Sequence, residues 1–222
     1  MEPGKSYHLY THANLPSQKF RQAGGFENLF QSEENYRYFL RRYERFIPSV
    51  VDTLAYFPIA IGMMPNHIHF LIRVKTEEEL LSTFSNLQGF KNLEGLGVEE
   101  KEKEIEKRIS QQFSNLFNSY TKAFNKMYSR MGSLFIPTFK REEITSDNYF
   151  TNIILYIHTN PVHHGFVKSI VDWPWSSYQL IRDGSPSFIK ADEVIAWFGN
   201  RAEYEKIHLQ PIDIKIKLDM GF

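Results

Sequence analysis

Cysteine is absent from the 222-residue chain, which excludes disulfides, thiolate metal sites and cysteine nucleophiles and suits a reducing cytoplasm. No run of about 18 apolar residues occurs, so the sequence offers no membrane-crossing helix. Met1-Glu2-Pro3-Gly4-Lys5 lacks the basic and apolar segments of a secretion signal, and the expected location is the cytoplasm. Net charge is missing as well: 26 basic and 26 acidic residues cancel, where nucleic-acid-binding proteins are commonly basic. Local distribution matters more than the sum. Acidic groups concentrate in Glu77-Glu78-Glu79 and from Glu94 to Glu106, while basic groups gather at Lys19 and Arg21, along Arg37, Arg41, Arg42 and Arg45, and at Lys140-Arg141, where they can track phosphates. For Arg41 and Arg45 a solvated helix face is an equal reading. What is present, 42% hydrophobic and 15% aromatic residues, suffices for a substantial core in one domain.

The run Met63-Met64-Pro65-Asn66-His67-Ile68-His69-Phe70-Leu71-Ile72 carries the clearest chemical signal. Successive strand side chains point to opposite faces, so His67, His69, Leu71 and Arg73 line one side and Ile68, Phe70, Ile72 and Val74 the other. The apolar side reads as core. The two imidazoles project together from the opposite face with Cβ atoms roughly 7 Å apart, a spacing at which their nitrogens can converge on one metal ion. A half-buried sheet face accounts for a bare pair as well. Phe57 to Met64 reads as a preceding strand and Pro65-Asn66 as a tight turn, which makes residues 56 to 74 a hairpin with its histidines just past the turn.

Ser146 to Pro161 reads as a helix capped by Ser146 or Asp147 and stopped by Pro161. Phe150, Ile153, Ile154 and Ile157 form its apolar stripe, and Tyr149, Asn152, Tyr156 and Asn160 a more polar side. Tyr156 and Asn160, one turn apart, can face one site as nucleophile and hard oxygen ligand; spacing alone equally describes a rim tyrosine and an asparagine closing a helix. Elsewhere the patterns give a strand over Ser6 to Ala13, helices over Ser32 to Val50 and Glu77 to Phe90, a helix over 109 to 128, and a strand over Leu134 to Thr145. Lys91 to Lys107 is charge-dense with few large apolar groups and reads as an exposed insertion. Beyond residue 186, Ala191 to Phe198 suggests a short helix, and Ile212, Ile214, Ile216 and Leu218 a half-buried strand. This order favours an antiparallel α+β layer over a doubly wound sheet.

Met64 to Leu71, then Tyr156-Ile157-His158-Thr159-Asn160-Pro161-Val162-His163-His164-Gly165-Phe166-Val167, then Asp172-Trp173-Pro174-Trp175-Ser176-Ser177-Tyr178 resemble, in order, three blocks of the REP-associated tyrosine transposases. These are single-tyrosine enzymes within the HUH endonuclease superfamily. The resemblance covers roughly residues 5 to 180. It implies a ferredoxin-like or RRM-like antiparallel sheet backed by helices, in a domain spanning 1–180 with residues 181–222 as an accessory segment. It implies metal-dependent cleavage of single-stranded or hairpin DNA through a 5′-phosphotyrosine, with strand transfer as the outcome. On that resemblance Tyr156 is the nucleophile, and His67, His69 and Asn160 hold Mg2+ or Mn2+; Asn160 stands where relatives often carry the longer Gln. Lys19, Arg21, Lys140, Arg141 and His163 are the candidate DNA contacts. His163 and His164 lie where the family usually has a basic residue, with plain solvent exposure as the alternative. Relatives work as monomers or as dimers that exchange catalytic helices, so a homodimer is a further expectation. Two readings compete with the transposase: a non-catalytic nucleic-acid-binding protein on the same fold, and a phosphodiesterase that uses water instead of tyrosine. Tyr120 is set aside as nucleophile because Phe113, Phe117 and Phe124 place it near an apolar stripe.

Overall fold

The computed structural model describes residues 1–14, 28–58, 67–85, 97–185 and 187–210. Among these, β1 (Ser6–His12), β2 (Val51–Pro58), β3 (His67–Val74) and β4 (Lys140–Glu143) form a four-stranded sheet in the order β2-β3-β1-β4, with every neighbouring pair antiparallel. Each strand is separated from its parallel mate by one inserted strand. This is the split arrangement of the ferredoxin-like fold, and the α+β expectation is met.

Helices cover both faces. α1 (Glu33–Phe46) and α3 (Val98–Met127) pack on the Phe70 face, where Phe70 lies 4.7 Å from the ring of Tyr43 and 6.3 Å from that of Phe39. α2 (Glu77–Ser85) follows β3, and α4 (Asp147–His163) crosses the histidine face against β2 and β3. After a 3-10 turn at Ile170–Asp172 come α5 (Tyr178–Asp183), α6 (Ala191–Trp197) and α7 (Arg201–Leu209). No helix among the described residues is long and apolar enough to cross a membrane.

Several boundaries differ from expectation for identifiable reasons. α1 stops at Phe46, just before Pro48, and Val51 already opens β2; residues 59–66, which hold most of the expected strand and the Pro65-Asn66 turn, lie outside the described residues. Pro161 does not end α4. The helix runs to His163 and is closed by Gly165 at φ +71°, with Phe166 N–H donating to the Pro161 carbonyl at 2.9 Å and Gly165 N–H to that of Val162 at 3.0 Å. Pro161, buried in the last turns of the helix, removes only one helix donor. β4 is shorter than the expected 134–145 strand. Pairing with β1 begins at the Ala13–Phe135 bridge, lapses around Pro137, which has no N–H to donate, and resumes at Lys140.

The supposed exposed insertion over 91–107 is, from Val98 onward, the first third of α3, while residues 91–96 are outside the description. Ile105 is buried and extends the stripe of Ile109, Phe113, Leu116, Tyr120 and Phe124 by one turn, so the charges around it are simply the solvent face. The described part of the segment after residue 180 packs against the sheet. Ile189 bridges Thr53 of β2, Glu193 pairs with Arg73 of β3, and Val194 and Tyr204 are fully buried. The strand expected over 212–218 lies outside the described residues.

Ile105→Ala is therefore expected to cost about 2–4 kcal/mol in urea unfolding. Met131→Ala, at a side chain 91% exposed, is expected to change stability by no more than about 0.5 kcal/mol. Equal, negligible effects would return residues 98–107 to the status of an insertion.

Candidate active site

Alternation along three strands gathers one polar cluster. In the sheet register His12 faces His67, Tyr10 faces both His69 and Lys140, and His8 faces Leu71 and Glu142, so these side chains share the face opposite Phe70. α4 closes over them. Tyr149, Tyr156 and Asn160, spaced seven and four apart, lie along one side of that helix, whose start is fixed by Tyr149 N–H donating to Ser146 Oγ at 3.2 Å.

The rings meet closely. His67 and His69 are edge to face with centroids 4.8 Å apart, and Tyr156 stands edge to face with His69 at 5.4 Å. His8 Nε2 and His69 Nδ1 share a hydrogen bond of 2.8 Å, while His12 lies 5.6 Å and His164 5.7 Å from His67. Glu142 accepts from Tyr149 Oη at 2.8 Å and from Tyr10 Oη at 3.2 Å, and Lys140 Nζ sits 5.5 Å from the Tyr10 ring. The face is closed rather than half-buried. His69 is 1% and His67 8% exposed, because α4 turns it into a second core layer.

Burial sets the protonation states. It pulls His8 down to about 3 and His69 well below the ordinary imidazole range, with the neighbouring imidazoles adding to the effect on His69. His12 falls too, through burial and then Lys140. At neutral pH these rings are uncharged, the form that binds metals. Burial, followed by Glu142, raises Tyr10 to about 12 and also lifts Tyr149. Burial raises the Tyr156 hydroxyl, and the Asn160 amide beside it draws it partly back. Asn160 is fully enclosed, and apart from its contact with the Tyr156 hydroxyl neither its Oδ1 nor its Nδ2 reaches a partner at normal hydrogen-bond distance and angle among the described residues. A buried amide oxygen left without a donor costs about 1–3 kcal/mol, and a cation at Oδ1 would offset that cost. Among the described residues no three His, Cys, Asp or Glu side chains are arranged to hold a metal ion. The donor set implied by the motifs, two imidazoles and one amide oxygen, is of a different kind: the His69 ring meets those of His67 and Tyr156, and the Asn160 amide lies beside the Tyr156 hydroxyl.

The structure divides the other candidates. Lys140 lies on the histidine face. Arg141, one residue on, points to the α3 side, where it is 3.9 Å from Glu106. His163 lines a cavity of about 330 Å3 with Lys168, Ser169 and His208, away from the strand histidines, and it is His164 that turns toward His67. Lys19 and Arg21 lie outside the described residues. Tyr120 is buried in the aromatic core and donates its hydroxyl to the Leu29 carbonyl, so it is no nucleophile candidate. Glu142 and His8 were not assigned from sequence. The alternation His8-x-Tyr10-x-His12 was a readable signal for a shared face, whereas Glu142 becomes relevant only once the β1–β4 register is known.

On its far side α4 is tied down by a second polar cluster. His158 Nε2 bonds Ser177 Oγ at 2.7 Å and its Nδ1 bonds His208 Nε2 at 2.9 Å, while Ser177 Oγ accepts from Tyr56 N–H at 2.9 Å. The helix is thus joined to β2, to the start of α5 and to α7.

No family model matches this chain, and no curated protein does. A solved structure of a REP-associated tyrosine transposase bound to a REP hairpin is similar at a TM-score of 0.43 and 18% identity, over 86% of this chain and 88% of that one. At those values the superposition adds nothing to what the site's own geometry supports.

The His158–His208 cluster has a consequence for stability. Burial lowers His208 from 6.5 to about 4 and pulls His158 down further, so the unfolded chain binds protons more readily than the folded one. The stabilisation is complete above about pH 6.5 and is lost progressively as pH falls toward 4, at up to ~1.4 kcal/mol per pH unit for each imidazole. Urea unfolding across that range should show the decline, and His208→Gln should make it shallower by one imidazole's share, the other buried histidines keeping theirs. An identical slope in the variant would contradict the assignment.

Proposed function

We propose that this chain is a transposase-type endonuclease and strand transferase for single-stranded or hairpin DNA, with Tyr156 as nucleophile and His67, His69 and Asn160 as ligands for Mg2+ or Mn2+. The observation that carries this reading is the meeting of the Tyr156 ring with His69, with the buried Asn160 amide beside the tyrosine hydroxyl. The order of the three sequence blocks supports it independently.

In the reaction, the Tyr156 oxygen forms a bond to a backbone phosphorus as the bond to the 3′ oxygen breaks. This leaves a 5′-phosphotyrosine and a 3′-hydroxyl that can later attack in reverse. A divalent ion at His67, His69 and Asn160 supplies Lewis-acid stabilisation of the phosphate's developing charge. The chain supplies the rest. The uncharged His69 ring keeps one nitrogen lone pair for a ligand, and enclosure of the site strengthens every electrostatic contact within it. Burial holds Tyr156 protonated until substrate binds. Packing of α4 on both sides keeps its hydroxyl from swinging away from the histidines. Exposed Lys140, on the same face, suits a contact to the strand's phosphates.

Labelled hairpin oligonucleotides incubated with Mn2+ or Mg2+ should yield an adduct that survives denaturing electrophoresis. Tyr156→Phe deletes one oxygen and keeps the packing, so it should abolish adduct and cleavage while DNA binding persists. Tyr120→Phe should retain activity, allowing for its lost hydrogen bond to Leu29. Cleavage that continues in Tyr156→Phe would point to hydrolysis by water. Binding without any adduct across a broad hairpin pool would favour a non-catalytic DNA-binding protein.

A further inference from the structure

We propose that His8 selects the nitrogen that His69 presents to a metal ion, acting as a positioning residue behind that ligand. The inference rests on the metal reading above and deepens it. His8 sits at the centre of β1, fully buried, with its ring stacked on that of His69 at 5.1 Å and an interplanar angle of 11°. Its Nε2 lies 2.8 Å from His69 Nδ1. Only one proton occupies a contact between two neutral imidazoles, and its position decides what His69 can do. If His69 Nδ1–H donates to His8 Nε2, the His69 Nε2 lone pair is available to a cation. If His8 donates instead, His69 Nε2 carries the hydrogen and is no ligand. A metal-binding His69 therefore requires His8 to be the acceptor.

The surroundings keep His8 in place for that task. Tyr10 stacks on His8 at 5.1 Å and on His69 at 5.8 Å, and Tyr10 is in turn held by Glu142. The partner behind a metal-ligating histidine is more often a carboxylate or a backbone carbonyl. A neutral imidazole fixes the ring's orientation and tautomer without adding negative charge, so a bound cation keeps its full pull on an anionic phosphate. Glu142, the carboxylate beside Tyr10 on this face, is engaged with two phenols, Tyr10 and Tyr149.

Two variants separate this role from packing. His8→Phe keeps a flat ring without an acceptor, and His8→Gln can place an amide oxygen near the former Nε2. Mn2+ affinity, measured by titration calorimetry on the full chain without DNA, should weaken about 10- to 100-fold in His8→Phe and stay close to wild type in His8→Gln. Imidazole 15N shifts of the metal-free wild-type chain should report His69 protonated at Nδ1. Thermal melts check that each variant is folded, and should His8→Phe not fold, the wild-type tautomer and His8→Gln still decide. Unchanged Mn2+ affinity in folded His8→Phe, or a His69 protonated at Nε2, would overturn the proposal. A wild-type chain that binds no Mn2+ despite the Nδ1–H tautomer would overturn the metal reading itself, and with it the role of His8.

Discussion

The burial of α4 around its whole circumference is the constraint on which the rest depends. Helices on a globular surface commonly hide one stripe and solvate the other. Here every residue from Ile153 to Pro161 is buried, between the histidine face of the sheet on one side and the C-terminal helices on the other. Polar residues on both sides must then find partners inside the protein. His158 does so through Ser177 and His208, which clamps the helix from behind. Tyr156 and Asn160 are held against the strand histidines by that same clamp. The segment from Ile189 to Leu209 thus supports the site from a distance, although none of its side chains is a candidate reactant.

The histidine face is hard to explain as stability alone. A second core layer of isoleucine and valine would gain about 25 cal/mol for each Å2 of apolar surface buried and would leave no imidazole or amide to satisfy. Instead the layer holds His8, His67 and His69, three tyrosines and Asn160, most of them enclosed enough to shift their titration. Clusters of shifted groups of this kind are characteristic of sites selected for chemistry. The aromatic core on the opposite face, built on Phe39, Phe70, Phe113 and Tyr120, carries the ordinary work of holding the fold together.

What could be read in advance follows the range of the interaction concerned. The two-residue alternation of His67-x-His69 and the four-residue step from Tyr156 to Asn160 are local, and both elements formed where that spacing puts them. Errors arose where local signals competed. Pro161 looked like the stop, but the left-handed Gly165 with its two returning hydrogen bonds sets the helix end. The charges before Arg108 outweighed a single Ile105, whose burial depends on a distant sheet. The partners of the site were the least legible. That His8 reaches His69, that Glu142 serves two tyrosines, and that Lys140 and Arg141 part to opposite faces all require the pairing of strands more than 50 residues apart, which one sequence does not specify.

The central claim is that Tyr156 is the atom-bearing nucleophile of a centre assembled from β3 and α4. Proteolysis and mass spectrometry of the covalent DNA adduct, after nuclease trimming to a single nucleotide, tests it most directly. The account predicts a nucleotide phosphate on the peptide containing Tyr156 and on no other. The same mass shift on Tyr10, Tyr149 or any residue outside α4 would contradict it.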